Sequence, residues 1–146
     1  MLDRIASDIN AALKRGDKAT AEALRLLKSA LMNAKIAAGH DLSDEEAAKV
    51  IRKEMKSRVE ARDLFAANDR SEQAAKEEFE RSVYAGYVPE QLSEADIDAL
   101  IEKVVSELGA SPQFAQVMPA TMKAAAGRAD GKLVADRVKL FLEGNA

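Results

Sequence analysis

Four cations, Lys49, Arg52, Lys53 and Lys56, fall within two turns of a predicted helix and, at 3.6 residues per turn, inside an arc of about 100°. Clustered cations of this kind hold phosphate groups through charge, without regard to base sequence. The same pattern also describes an ordinary solvated helix face. Aromatic residues make up 4% of the chain, so platforms for unpaired bases are scarce and contact through the shape of a folded RNA is the expected mode. A looser set, Lys123, Arg128 and Lys132, surrounds Gly127-Arg128-Ala129-Asp130-Gly131. There Gly127 permits a close turn and Asp130 caps the next helix. The N–H groups from Gly131 onward favour an anion, for which Asp130 competes. That stretch is expected to be a rigid turn first and a contact point second.

Glu54 and Arg58 stand four residues apart beside the apolar stripe of the same helix, which predicts an intrahelical ion pair at the core's margin; the alternative is a polar contact to another helix or to a ligand. Amide hydrolysis or transfer needs a nucleophile, a base and an oxyanion site. Cysteine is absent, which excludes disulfides, thiolate metal sites and a cysteine nucleophile. Ser43, Ser71, Ser93 and Ser111 are assigned to helix caps, and Ser29 and Ser57, each after a lysine, lack the Gly/Ser-rich setting of amidase sites. His40, the single histidine, is expected to be an exposed loop residue. No catalytic residue, metal ligand or cofactor is therefore assigned.

Helices must position these residues. Leu2, Ile5, Ile9, Ala12 and Leu13 predict a first helix, and Gly16-Asp17 a short turn into a second with Leu24, Leu27, Leu31 and Ala34 inside and Gly39 at its end. Ser43-Asp44-Glu45-Glu46 reads as a capping box opening a long third helix, with Ala47, Val50, Ile51, Ala61 and Phe65 on its apolar side. Asn68-Asp69-Arg70 breaks the pattern. Ser71 is expected to cap a fourth helix lined by Ala75, Phe79, Val83 and Tyr84, with Glu77, Glu78 and Glu80 on its exposed face.

Tyr87 through Ser93 divides the chain, because Val88 precedes a proline and Pro89 has no N–H with which to continue a helix. Ser93 then caps a helix carrying Ile97, Leu100, Ile101, Val104 and Val105, and Gly109 supplies a left-handed stop. Ser111-Pro112 is expected to open the next helix, Pro119 to kink or interrupt it near Ala115, and Gly127 to end it. Asp130 caps the last helix, built on Leu133, Val134, Val138 and Phe141. The boundaries are 1–88 and 89–146.

The 146 residues, 47% hydrophobic and 32% charged, describe a globular chain, and scarce aromatics with frequent alanine favour helix over sheet. The net charge of −3 is uneven: residues 1–88 balance 16 Lys+Arg against 16 Asp+Glu, while 89–146 hold 6 against 9. A polyanion would have to use local patches, because the overall charge does not attract it. The charged N-terminus has no apolar signal core, so a cytoplasmic protein without a membrane partner is expected.

YVPEQLSEADI at 87–97, ASPQFAQVM at 110–118 and GRADGKLV at 127–134, with LRLLKSAL at 24–31, KSR at 56–58 and Arg70, resemble the YqeY-like family across essentially the full chain. That family shares its helical motif with the tail of the aspartyl/glutamyl-tRNA amidotransferase B subunit. The resemblance makes Gly127, Asp130 and Gly131 the family-motif turn. It implies an all-α protein in which an N-terminal, four-helix bundle-like domain precedes a small three-helix domain of the GatB/YqeY type. It also implies a link to tRNA, since the amidotransferase tail helps that enzyme hold its tRNA, and the family's label of carbon–nitrogen ligase activity with glutamine as amide donor. That chemistry belongs to other parts of a multi-subunit complex. Pro119 stands where the family usually has glycine, Lys123 where it has proline, and Ala124 and Ala126 where many members are basic.

The expected function is an accessory, non-catalytic module acting on tRNA or beside a tRNA-processing protein. The alternatives are a protein adaptor docking on a synthetase or amidotransferase, and a stand-alone amidase-type enzyme. The sequence leaves the oligomeric state open.

Overall fold

The computed structural model describes residues 1–144, and among them every regular element is a helix. In chain order these are α1 (Leu2–Lys14), α2 (Lys18–Ala38), α3 (Asp44–Ala67), α4 (Ser71–Ala85), α5 (Glu94–Leu108), α6 (Phe114–Ala125) and α7 (Gly131–Gly144). Contacts separate the chain between Pro89 and Glu90 into two compact units, the first holding α1 to α4 and the second α5 to α7.

In the first unit, Asp17 ends the α1–α2 turn by accepting the Thr20 N–H at 3.1 Å, and Gly16, at φ +77°, makes the reversal that an L side chain resists. The core joins Ile5, Ile9 and Ala12 of α1 to Ala21, Leu24, Leu27 and Leu31 of α2, Ala47 and Ile51 of α3, and Tyr84 of α4. Leu13, expected inside, is exposed. Gly39 closes α2 in the left-handed conformation, and Ser43 opens α3 by accepting the Glu46 N–H at 3.1 Å.

The buried side chains of α3 all lie in its first eight residues, Ala47, Ala48 and Ile51. Beyond them the helix packs against α4 through charged groups, and the predicted α4 face holds only in part: Tyr84 is buried and Val83 packs against the core. Ala75 and Phe79 are exposed, whereas Ala74, Glu80 and Tyr84 face inward. A stripe rule places carboxylates outside, but Glu80 is drawn in by a cation on α3. Ser71 does not cap α4. The helix begins at Arg70, whose carbonyl accepts the Ala74 N–H at 3.0 Å, after Asp69 has taken φ +58°.

In the second unit, Ser93 and Asp96 form a reciprocal capping box, and Ile97, Ile101 and Val104 of α5 pack with Val117 of α6 and Val134 and Val138 of α7. Gly109 has a positive φ of +84° but an extended ψ, so α5 stops without the expected left-handed cap. Ser111 is at φ +64° rather than extended, and the start of α6 moves to Gln113, whose carbonyl accepts the Gln116 and Val117 N–H groups at 2.9 Å. The assignment of Ser111 as a cap is corrected accordingly. Pro119 does not interrupt α6. It and Ala115 are both exposed, so water can reach the carbonyl that the proline ring leaves without an N–H.

Candidate nucleic-acid interface

Capping at Ser43 sets the phase of α3, and that phase brings Lys49, Lys53 and Lys56 to one exposed face, all three without a carboxylate partner among the described residues. Seven residues at 1.5 Å each give the face a length of about 10 Å, enough to meet neighbouring phosphates on one strand. A lysine ammonium is a hydrated point charge on a flexible stem, a form suited to phosphate.

Arg52 sits differently. It is half-buried, its Nη2 donates to the Pro89 carbonyl at 3.5 Å, and burial holds its guanidinium below the ordinary value. Its role is to fix the segment leaving α4, so the sequence-predicted group of four is divided into three surface lysines and one structural arginine.

Glu54 and Arg58 form the expected intrahelical pair, Arg58 Nη1 donating to Glu54 at 2.7 Å, but the guanidinium does more. Its Nε donates to Glu80 of α4 at 3.2 Å and its Nη2 to the Tyr84 hydroxyl at 3.4 Å, with the guanidinium carbon 5.2 Å from the Tyr84 ring centre. Burial alone would lower Arg58, yet Tyr84, Glu54 and Glu80 together hold it above its usual value. Burial pushes the Tyr84 phenol up to about 12. One turn on, Arg62 donates to Glu78 at 2.6 Å and Arg81 donates to the same carboxylate at 2.7 Å. Arg58 and Arg62 thus tie α3 to α4, and Lys49, Lys53 and Lys56 are the cations of α3 without a carboxylate partner among the described residues.

The departing segment has a second anchor that sequence reasoning missed. Tyr87 donates its hydroxyl to Asp8, Arg4 lies 4.6 Å from the Tyr87 ring centre, and Arg4 Nη2 donates to the Gly86 carbonyl at 3.3 Å. Burial, then the Asp8 bond, raises the Tyr87 phenol. The four-residue spacing of Arg4 and Asp8 on α1 was the available signal, but it did not show what they would meet.

The second cationic set is less open. Lys123 and Lys132 are exposed, but Arg128 is half-buried, and its Nε donates to the Ala125 carbonyl at 3.2 Å, satisfying an end of α6. Its own carbonyl accepts the Leu92 N–H at 2.8 Å, so the strand of chain before α5 is hydrogen-bonded to the α6–α7 turn. Ala126 and Gly127, at φ +49° and +76°, make that turn. The Asp130 carbonyl accepts the Val134 N–H at 3.0 Å as α7 starts, and a Cβ on Gly131 would meet the Met122 Cε at 3.9 Å, an ordinary contact. The geometry is that of a hydrogen-bonded turn between α6 and α7.

His40 donates Nδ1–H to the Asp41 carbonyl at 2.7 Å in an exposed loop, where Lys35 also pairs with Asp41 at 2.7 Å. Among the described residues no three His, Cys, Asp or Glu side chains are grouped to hold a metal ion, and no helix is long and apolar enough to cross a membrane.

No curated protein matched the chain when compared by sequence. A family model described as Yqey-like protein matches residues 2–142, spanning α3 with its lysines, the segment from Tyr87 to Ser93 and the Gly127–Gly131 turn, and by that match the chain belongs to the YqeY-like family.

Proposed function

We propose that this protein is an accessory, non-catalytic module that contacts tRNA through Lys49, Lys53 and Lys56, in the setting of tRNA-dependent amidation. In this reading α1 to α4 form a bundle-like domain that presents the lysines, and α5 to α7 form the counterpart of the amidotransferase B-subunit tail. Lys123 and Lys132 are secondary contacts, and Gly127, Asp130 and Gly131 shape the turn between them. The partner is tRNA, or a tRNA-processing protein holding it.

The observation that carries the reading is the division of cations on α3. The arginines of the helix are engaged by carboxylates, a phenol or a carbonyl, while three exposed lysines within about 10 Å have no carboxylate partner among the described residues. The carbon–nitrogen ligase label is set aside for this chain because that chemistry belongs to other parts of a multi-subunit complex; Ser43 and Ser93 serve as caps, and Ser71 and Ser111, which do not, are exposed like Ser57.

Binding to total tRNA, measured by filter retention across salt concentrations, tests the proposal against a Lys49/Lys53/Lys56→Ala variant. Arg52 is left in place because it anchors Pro89. Three phosphate contacts predict that log K falls against log salt with a slope of about −2 to −3, and the variant should lose most of that slope. A slope and affinity unchanged in the variant would refute the assignment.

A further inference from the structure

We propose that the outer face of α1 and α2 is a docking groove for an acidic amphipathic helix of a partner protein. This surface is independent of the tRNA reading, since it uses neither α3 nor the second unit.

Among the described residues the helix most extensively packed on α1 is α2, and a groove of about 490 Å³ runs between them. Ala6, Ile9, Ser29 and Met32 line it. The small side chains of Ala6 and Ser29 let an incoming backbone approach closely. Arg25, Ser29, Met32 and Ile36, at intervals of four, three and four, share one face of α2. Met32 is 46% exposed and Ile36 75% exposed, the most open of the large apolar side chains.

The rim supplies the identity of the occupant. Arg25 and Lys28 border the groove, and neither has a carboxylate partner among the described residues, in a unit where Arg15, Arg58, Arg62 and Arg81 are all ion-paired. A complementary ligand has apolar residues at helical spacing to cover Met32 and Ile36, and carboxylates beside them to meet Arg25 and Lys28. From Arg25 to Ile36 the face runs about 16 Å, the length of three helical turns. A nucleic acid would satisfy the cations but leave Ile36 without an apolar contact.

The test is a methyl and amide NMR titration of the full chain with a capped peptide of about 16 residues, a little over four turns, carrying leucines at three- and four-residue spacing and glutamates on the flanks. A second peptide replaces each glutamate with lysine. The acidic peptide should shift signals of Ile9, Ser29, Met32 and Ile36, and the lysine peptide should bind about tenfold more weakly, the effect of two exposed charge pairs. An Arg25→Glu/Lys28→Glu variant should reverse that preference, and Ile36→Asn should weaken both peptides. If the variants fail to fold, the comparison of the two peptides on the native chain still decides. Equal binding of both peptides, shifts confined to other helices, or no shift at millimolar peptide would overturn the proposal. So would total tRNA moving the same methyl signals, or those signals moving with protein concentration alone, which would mark a nucleic-acid surface or a contact between copies.

Discussion

Replacing Arg58 with Met should destabilise the first unit more than any other single change to the surface of α3. The substitution keeps an unbranched stem of similar reach and removes only the guanidinium, leaving Glu80, 7% exposed, with its carboxylate buried and unpartnered. Breaking a buried pair by removing one partner costs about 3–5 kcal/mol. The Arg58 side chain is 17% exposed and Glu54 can turn toward water, so the low end, about 3 kcal/mol, applies. Urea unfolding followed by tyrosine fluorescence reads this unit alone, because both tyrosines of the chain, Tyr84 and Tyr87, belong to it. The midpoint should fall at nearly constant slope. In Arg58→Met/Glu80→Met, two apolar side chains meet where the pair stood, and stability should return to within about 1 kcal/mol of the parent. A single variant costing under about 1 kcal/mol, or a double variant whose loss equals the sum of the singles, would refute the view that Arg58 and Glu80 hold α3 and α4 together.

Two further outcomes can be measured, one in each unit. Arg81, then Arg62, lowers Glu78 from 4.5 to about 2, so its contribution is complete above pH 4.5 and is lost as pH falls toward 2. Glu78 is 40% exposed, and solvent screening limits the effect to about 1 kcal/mol or less; Glu78→Gln should flatten the acid limb of a stability–pH curve between those values, and an unchanged limb would discount the pair. In the second unit the Thr121 hydroxyl is fully buried with no hydrogen-bond partner among the described residues, so Thr121→Val should raise the thermal midpoint, by about 1 kcal/mol in stability, whereas a loss of stability would mean that the hydroxyl has a use.

Helix identity and most helix ends were legible in the sequence because they are decided within a few residues. The Asp17, Ser43 and Ser93 caps, the Gly39 stop and the apolar intervals of α1, α2 and α5 depend on local backbone geometry and on side chains three or four positions apart. Where a local rule allowed two outcomes, tertiary structure chose. Ser71 and Ser111 were suitable cap residues displaced by the neighbouring turn conformations at Asp69 and Ser111 itself, and Pro119 was accommodated because its side of α6 faces water.

The candidate site divided in the same way. Helical period alone put Lys49, Arg52, Lys53 and Lys56 on one arc, but not which of them would be free. That choice depended on partners far along the chain: the Pro89 carbonyl took Arg52, and Glu80 and Tyr84 took Arg58. Arg4 and Asp8 likewise acquired their role from Tyr87, 79 residues from Asp8. An i,i+4 spacing fixes where a charge points around its own helix, whereas its partner is fixed by which helix packs there. The sequence by itself therefore determined the all-α class, the capped ends and the phase of the basic face, all of them short-range properties of the backbone. Packing settled that Glu80 is inside, that Arg52 and Arg58 make structural contacts, and that Lys49, Lys53 and Lys56 stay exposed without a carboxylate partner among the described residues, because burial and charge pairing depend on groups brought together in three dimensions.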